Sequence, residues 1–256
     1  MTGTRKRLRL GRLEVDEVTF DEALDAIGAM LTEGRGGSVF TPNVDHVVMA
    51  DHDDRFRRAY ETADLSLADG MPVLWAARML GKPLPEKISG SDLVLPLMER
   101  AERHGWRVYL LGGAPGVGDL AAARLVERFP RLQIAGIDAP RIDMDAPAST
   151  RAPVVERIRA AKADLVLVAL GAPKQELWIA EATPELRPAV LLGIGAAIDF
   201  IAGTAKRAPS WMSRSGLEWL YRLVQEPRRM WRRYLLRDPE FLVIVLRDLR
   251  ASRRAD

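Results

Sequence analysis

The order of apolar runs along this 256-residue chain predicts an α/β fold on a mainly parallel sheet. Six short runs, at 38–40, 65–67, 107–111, 133–137, 165–169 and 190–193, are rich in Val, Leu and Ile. Several are nearly continuous, as in strands covered on both faces. Amphipathic helical patterns separate them. Most of the runs end in small or polar residues, and in a parallel sheet such loops gather at the carboxyl edge, where ligands bind.

Taken in order, residues 1–15 (MTGTRKRLRLGRLEV) are basic and lack the apolar centre of a secretory signal. A helix is expected at 20–31, then the 38–40 strand ending in Thr41-Pro42-Asn43. A helix at 55–62 leads to the 65–67 strand, which ends in Ala68-Asp69-Gly70. Helices at 71–80 and 93–104 precede the 107–111 strand and its turn, Gly112-Gly113-Ala114-Pro115-Gly116. A helix at 118–128 and the 133–137 strand follow. Residues 138–151 are polar and proline-rich, which predicts a surface loop. Helices at 154–161 and 175–182 flank the 165–169 strand, which ends in Gly171-Ala172-Pro173, and the 190–193 strand runs into Gly193-Ile194-Gly195.

After residue 203 the alternation stops. The pattern divides the chain into a core, 1–203, and a helical appendage, 204–256. Within 211–224, Met212, Trp219, Leu220, Leu223 and Val224 fall on one helical face. Pro227 suits the first turn of a new helix. There Met230, Trp231, Tyr234 and Leu235 line one side, with Arg228, Arg229, Arg232 and Arg233 on the other. Residues 251–256 are expected to be disordered.

With no cysteine, disulfides and thiolate metal sites are excluded. The formal charge is +3, but residues 203–256 hold 13 Lys and Arg against 6 Asp and Glu. A basic, tryptophan-bearing helix is either a solvated face, a stripe packed on the core, or a contact with a polyanion such as an anionic bilayer surface. No apolar run reaches the ~18 residues of a membrane span, and FLVIVL at 241–246 is far too short. The expected location is the cytosol or a membrane face.

The residues alone suggest a phosphate-binding edge. Gly112 and Gly113 lie in LLGGAPGVG, and Gly193 and Gly195 lie in GIGAAIDF with Asp199 beyond. Glycine turns after strands let backbone amides approach a diphosphate, although tight turns need no ligand. Asp69 stands at a strand end before a helix, as a general base or as a helix N-cap. Gln175 and Glu176 open a helix facing the same edge, or simply suit an exposed helix start. The histidines have no metal-ligand spacing, and Asp143-Met144-Asp145 falls in a proline-rich loop, so no metal site is expected.

These segments resemble the WecG/TagA/CpsF glycosyltransferase family. The matching blocks are TPNVDH (41–46), ADGMPVLWAARMLG (68–81), ISGSDL (88–93), LLGGAPGV (110–117), LGAPKQELW (170–178), GIGAAIDFIAG (193–203) and KRAPSWMSRSGLEWLYRLVQEPRRMWRRYL (206–235). The resemblance implies a Rossmann-like core with helices on both faces and a C-terminal helical appendage that closes the site and touches the membrane. It implies an inverting, metal-independent enzyme needing no cofactor. Its donor is a UDP-sugar carrying N-acetylmannosamine or a hexose, and its acceptor is a polyprenyl-diphosphate-linked saccharide on the cytoplasmic membrane face, in cell-surface polysaccharide synthesis. Asp69 matches the family's DG aspartate, the base for the acceptor hydroxyl. Thr41, Asn43 and Gln175 match sugar-contacting positions. Arg214, Arg222, Arg228 and Arg229 lie in the motif whose guanidiniums would neutralise diphosphate charge.

Two departures stand out. Lys87-Ile88 replaces the family's usual Arg-Val, which keeps the charge but loses the planar fork. Gly136-Ile137-Asp138-Ala139-Pro140 alters the GYxxP motif, which bears on sugar identity. Two other classes compete: a nicotinamide-dependent oxidoreductase, for which no acidic ribose partner is evident, and a nucleic-acid binder, for which no recognised module is present. No nucleic-acid partner is expected, while the exposed appendage helices would allow self-association.

Overall fold

The computed structural model describes residues 5–254. It is an α/β fold around a six-stranded parallel sheet. The strands are β3 (Gly37–Phe40), β4 (Leu65–Ser66), β5 (Arg107–Gly112), β6 (Gln133–Asp138), β7 (Leu165–Ala169) and β8 (Val190–Gly193), in the order β4-β3-β8-β7-β5-β6. All six expected strands form. Their side chains alternate between two cores: in β7, Val166 and Val168 enter one, while Leu165, Leu167 and Ala169 enter the other. Burial on both faces is why the runs of β5, β7 and β8 are nearly continuously apolar, while edge strand β6 is only partly buried.

One face is covered by α1 (Phe20–Thr32), α5 (Gly90–His104), α6 (Val117–Arg128) and α9 (Ala197–Ala202). The other carries α2 (Val44–His52), α3 (Asp54–Glu61), α4 (Met71–Met79), α7 (Ala152–Ala160) and α8 (Lys174–Leu186). A Thr19–Glu22 capping box starts α1, with each side chain bonding the other's backbone.

Several expectations need correction. An antiparallel hairpin, β1 (Arg7–Leu10) and β2 (Leu13–Asp16), precedes the sheet. Its Leu8, Leu10, Leu13 and Val15 alternate into the core, and buried Asp16 accepts the Ser66 N–H at 2.7 Å, docking the hairpin beside β4. Residues 139–151 are not simply a surface loop, because Ile142, Met144 and Arg151 are buried and Asp138 belongs to β6. Nor is 211–224 one helix. It divides into α10 (Ser210–Arg214) and α11 (Glu218–Gln225) at Gly216, whose φ is +75°. A Cβ there would meet the Trp75 ring at 2.7 Å, so only glycine lets the turn sit on α4.

After α12 (Pro227–Arg232) a π-helical turn, Arg233–Arg237, leads into α13 (Glu240–Ser252). Phe241, Ile244 and Val245 of α13 join the core that holds β1, β2 and α2. Ala251 and Ser252, expected to be disordered, end this helix. Among the described residues, no helix is long and apolar enough to cross a membrane.

Candidate active site

The loops after β3, β4, β5, β7 and β8 leave from the same edge of the parallel sheet. Around the end of β8 they touch. A Cβ on Gly193 would strike Gln175 Nε2 at 2.5 Å, and one on Gly90, at the start of α5, would strike the Gly193 carbonyl at 2.5 Å. Gly112, with φ +108°, passes so close to the Ala169 carbonyl that any side chain is excluded, and Gly113 lies against Ile198 of α9. Gly195 donates its N–H to Gln175 Oε1 at 3.0 Å.

Asp69 emerges from this edge. Its N–H donates to the Pro42 carbonyl at 2.9 Å, which ties the loop after β4 to the loop after β3. Gly70, with φ 102°, then turns the chain into α4 and serves as N-cap without a side-chain bond. Asp69 is therefore not the cap of α4. Its carboxyl lies on the wall of a cavity of about 450 Å³, with Asn43, Val44, Met71, Pro72 and Lys87 from the core. The C-terminal segment closes the cavity with Ser213, Glu218, Trp219, Arg222, Arg233, Tyr234, Leu235, Asp238, Phe241 and Leu242. Two larger grooves, one between α1 and α5 and one beside the β1–β2 turn, lie away from these loops.

The cavity is a set of opposed charges. Burial pushes the Asp69 carboxyl up to about 6, against the lowering influence of Lys87 and Arg222 and with the help of Glu218 and Asp92. Lys87 Nζ stands 3.3 Å from Asp92 Oδ2 and donates to the Ser213 hydroxyl at 3.1 Å. Glu218 accepts from Arg222 at 2.8 Å and from Ser213 at 3.1 Å. Arg233 donates to Asn43 Oδ1 at 3.1 Å, and its Nε lies 3.3 Å from Asp45 Oδ2. Arg237 reaches the other oxygen of Asp45 at 3.0 Å. Asp238, also on the wall, is raised to about 6, chiefly by burial. A carboxyl poised near 6 is mostly ionised at neutral pH and basic enough to take a proton from a hydroxyl.

The predicted site residues divide into three groups. Asn43, Asp69, Lys87 and Arg222 meet at the cavity. Gly112, Gly113, Gly193, Gly195 and Gln175 lie at the sheet edge behind it, where Gln175 is buried and holds the Gly195 turn while donating to Glu176 at 2.9 Å. Thr41 is buried at the end of β3. Asp199, in α9, accepts from the Thr204 hydroxyl at the start of the C-terminal segment. Arg228 is exposed and does not line the cavity, and the side chains of Arg214 and Arg229 lie outside the described residues.

Sequence reasoning did not name Ser213, Glu218, Tyr234 or Asp238 as site residues, and grouped Arg233 with Arg228, Arg229 and Arg232 on the side opposite the aromatic stripe. The available signal was the i, i+4 pair of Glu218 and Arg222, opposite charges on the face away from the apolar stripe. Asp143 and Asp145 form a local turn, with Asp145 paired to Arg55, away from the cavity. Among the described residues, no group of three or more His, Asp or Glu side chains is arranged to hold a metal ion. The altered motif at 136–140 ends β6: Asp138 accepts from the Tyr109 hydroxyl at 2.6 Å and from Arg157 at 2.7 Å.

The fold is a parallel α/β sheet whose carboxyl-edge loops meet a cavity of cationic and apolar groups, the place where proteins of this class bind their ligands. The description "Glycosyl transferase WecG/TagA/CpsF family" matches residues 8–255, and the chain belongs to that family. It is a glycosyltransferase. It is 35% identical over 222 residues, 87% of this chain and 83% of the relative, to the N-acetylglucosaminyldiphosphoundecaprenol N-acetyl-beta-D-mannosaminyltransferase of Bacillus spizizenii strain W23. With the Bacillus subtilis strain 168 enzyme of the same name it shares 32% identity over 213 residues, 83% of this chain and 80% of the relative.

Proposed function

We propose that this chain transfers N-acetylmannosamine, with inversion and without a metal, from its UDP derivative to an N-acetylglucosaminyl-diphosphate-polyprenol. Asp69 acts as the base. It takes the proton of the acceptor hydroxyl as that oxygen attacks the anomeric carbon, and the bond to UDP breaks on the opposite face of the sugar. Inversion of an α-linked donor leaves a β linkage, the anomer in the relatives' names.

The observation that carries this reading is the Asp69 carboxyl, raised to about 6, on the wall of a cavity shared with Lys87 and Arg222. The two cations beside the base face the diphosphate that the lipid acceptor carries, which charge-assisted hydrogen bonds would hold there. The glycine turns at Gly112–Gly113 and Gly193–Gly195 are the proposed seat of the UDP diphosphate; the Gly113 and Gly195 N–H groups are spent on Ala169 and Gln175, and it is the N-terminus of α6 beyond the first turn that favours an anion.

The same reading sets the enzyme on the cytoplasmic face of the membrane. Trp211, Trp219, Leu220, Val224, Trp231 and Leu236 are exposed on the C-terminal segment beside its arginines, a surface suited to a bilayer interface. The test is mass spectrometry of products from a panel of UDP-sugars with a short-chain acceptor. A mass gain of one N-acetylhexosamine from UDP-N-acetylmannosamine, retained in the presence of a chelator, is the expected result. Transfer of a different sugar, or loss of activity on chelation, would defeat the reading.

A further inference from the structure

The wall of the Asp69 cavity is of two chemical kinds. Lys87, Arg222 and Arg233 bring cationic groups to it, while Met71, Pro72 and Phe241 present only carbon and sulfur. Leu235 and Leu242 belong to the same wall yet are 57% and 66% exposed, which puts them at its mouth. The two helices whose first turns line the mouth carry further exposed apolar side chains, Trp75 and Met79 on α4 and Val243 and Leu246 on α13. An exposed apolar tract joined to a cavity marks a binding surface.

A sugar or a nucleotide is a poor occupant for that tract. Their hydroxyl, amide and ring-edge groups would lose water there and find no hydrogen-bond partner. A branched hydrocarbon loses nothing and is removed from water along its whole length. We propose that the mouth formed by Leu235 and Leu242 holds the first isoprene units of the lipid acceptor. The chain then leaves between α4 and α13, and its diphosphate faces the cations of the cavity. This makes the Asp69 cavity the acceptor side of the site, with the nucleotide at the glycine turns behind it. The inference rests on the glycosyl-transfer reading above.

The test uses the full chain without membranes or detergent, so that partition into a bilayer plays no part. Two soluble acceptors are compared: N-acetylglucosaminyl diphosphate esterified to a three-isoprene alcohol, and the same diphosphate esterified to methanol. In the wild type the isoprenyl acceptor should have a KM about tenfold lower, the equivalent of one well-buried apolar group. Leu242→Asn and Leu235→Asn should each reduce the ratio of the two KM values at least threefold. Both side chains are exposed, and calorimetric UDP affinity reports whether each variant is folded. Equal KM values for the two acceptors in the wild type, or a ratio unchanged in both variants, would overturn the inference while leaving glycosyl transfer intact. No transfer to either acceptor would remove the parent reading and this inference with it.

Discussion

Lys87 Nζ donates to the Ser213 hydroxyl at 3.1 Å, a bond that joins the loop before α5 to the C-terminal segment over the cavity. The hydroxyl in turn donates a hydrogen bond to Glu218, and Glu218 holds Arg222. One ammonium group thus anchors the closing segment and lowers the pKa of Asp69. Lys87→Ala should raise the Asp69 pKa and shift the acid limb of kcat/KM to higher pH. Activity at pH 6 should then fall about threefold more than activity at pH 8, in line with a fraction of a pKa unit. Lys87→Arg should keep the wild-type limb. Identical limbs in Lys87→Ala and the wild type would refute this coupling.

Asp69→Asn should lower turnover by roughly 10²–10⁴-fold, the usual range for loss of a positioned base. UDP binding, which the base does not contact in this scheme, should change less than about twofold. In the wild type the base must be ionised, so the rate should fall as pH drops through about 6. Near-wild-type turnover in the Asn variant would exclude Asp69 as base.

Asp45 is buried and pairs with both Arg233 and Arg237. Asp45→Ala should leave Arg233, among the described residues, with Asp238 alone, remove the partner of Arg237, and cost about 2 kcal/mol in urea denaturation, below the figure for a fully buried pair because the arginines are partly solvated. Limited proteolysis should cut within 204–239 faster than in the wild type. An unchanged cleavage rate would show that Asp45 does not hold the segment in place.

Glu176 is buried, with one oxygen lacking a hydrogen-bond partner, and burial pushes its carboxyl up to about 7. The unfolded chain ionises it near the ordinary value of 4.5. Between these values the folded state keeps a proton that the unfolded state has released. Stability should therefore fall as pH rises through that window and stay reduced above it. Glu176→Gln removes the penalty, and its advantage over the wild type in unfolding free energy should grow from pH 5 to pH 8, reaching about 2 kcal/mol. A pH-independent difference would contradict the shift.

Val224→Glu and Trp231→Glu should each weaken sedimentation with anionic vesicles about tenfold, because each places a like charge on an apolar contact face. Truncation at residue 204 would be a poor probe, since it also removes Phe241, Ile244 and Val245 from the core. Unaltered binding in both point variants would argue against this surface as the bilayer contact.

How much was legible follows from where side chains point. The inner strands β5, β7 and β8 are apolar on both faces, so each announced itself as a run, whereas edge strand β6 shows only Ile134 and Ile137, partly buried against one core. The hairpin was missed although Leu8, Leu10, Leu13 and Val15 alternate around Gly11-Arg12, because its arginines made the segment read only as basic. Helix α2 escaped notice because its buried side includes Asp45 and His46, which breaks the apolar period. His46 tolerates burial by staying neutral: burial, Arg233 and Arg237 lower its pKa to about 3, and it meets the Tyr60 hydroxyl at 2.7 Å.

The amino-acid sequence by itself determined the parallel sheet, the loops at its carboxyl edge and the family, since these depend on local patterns of apolar and glycine residues. Only the tertiary structure decided that Asp69 stands free of the α4 cap and that Gln175 turns inward to hold the Gly195 loop. It also decided that Glu218, Arg233 and Asp238 face the cavity. The reason is physical: a polar side chain near a helix end has several partners within reach, and its orientation is set by distant charges that the fold brings beside it.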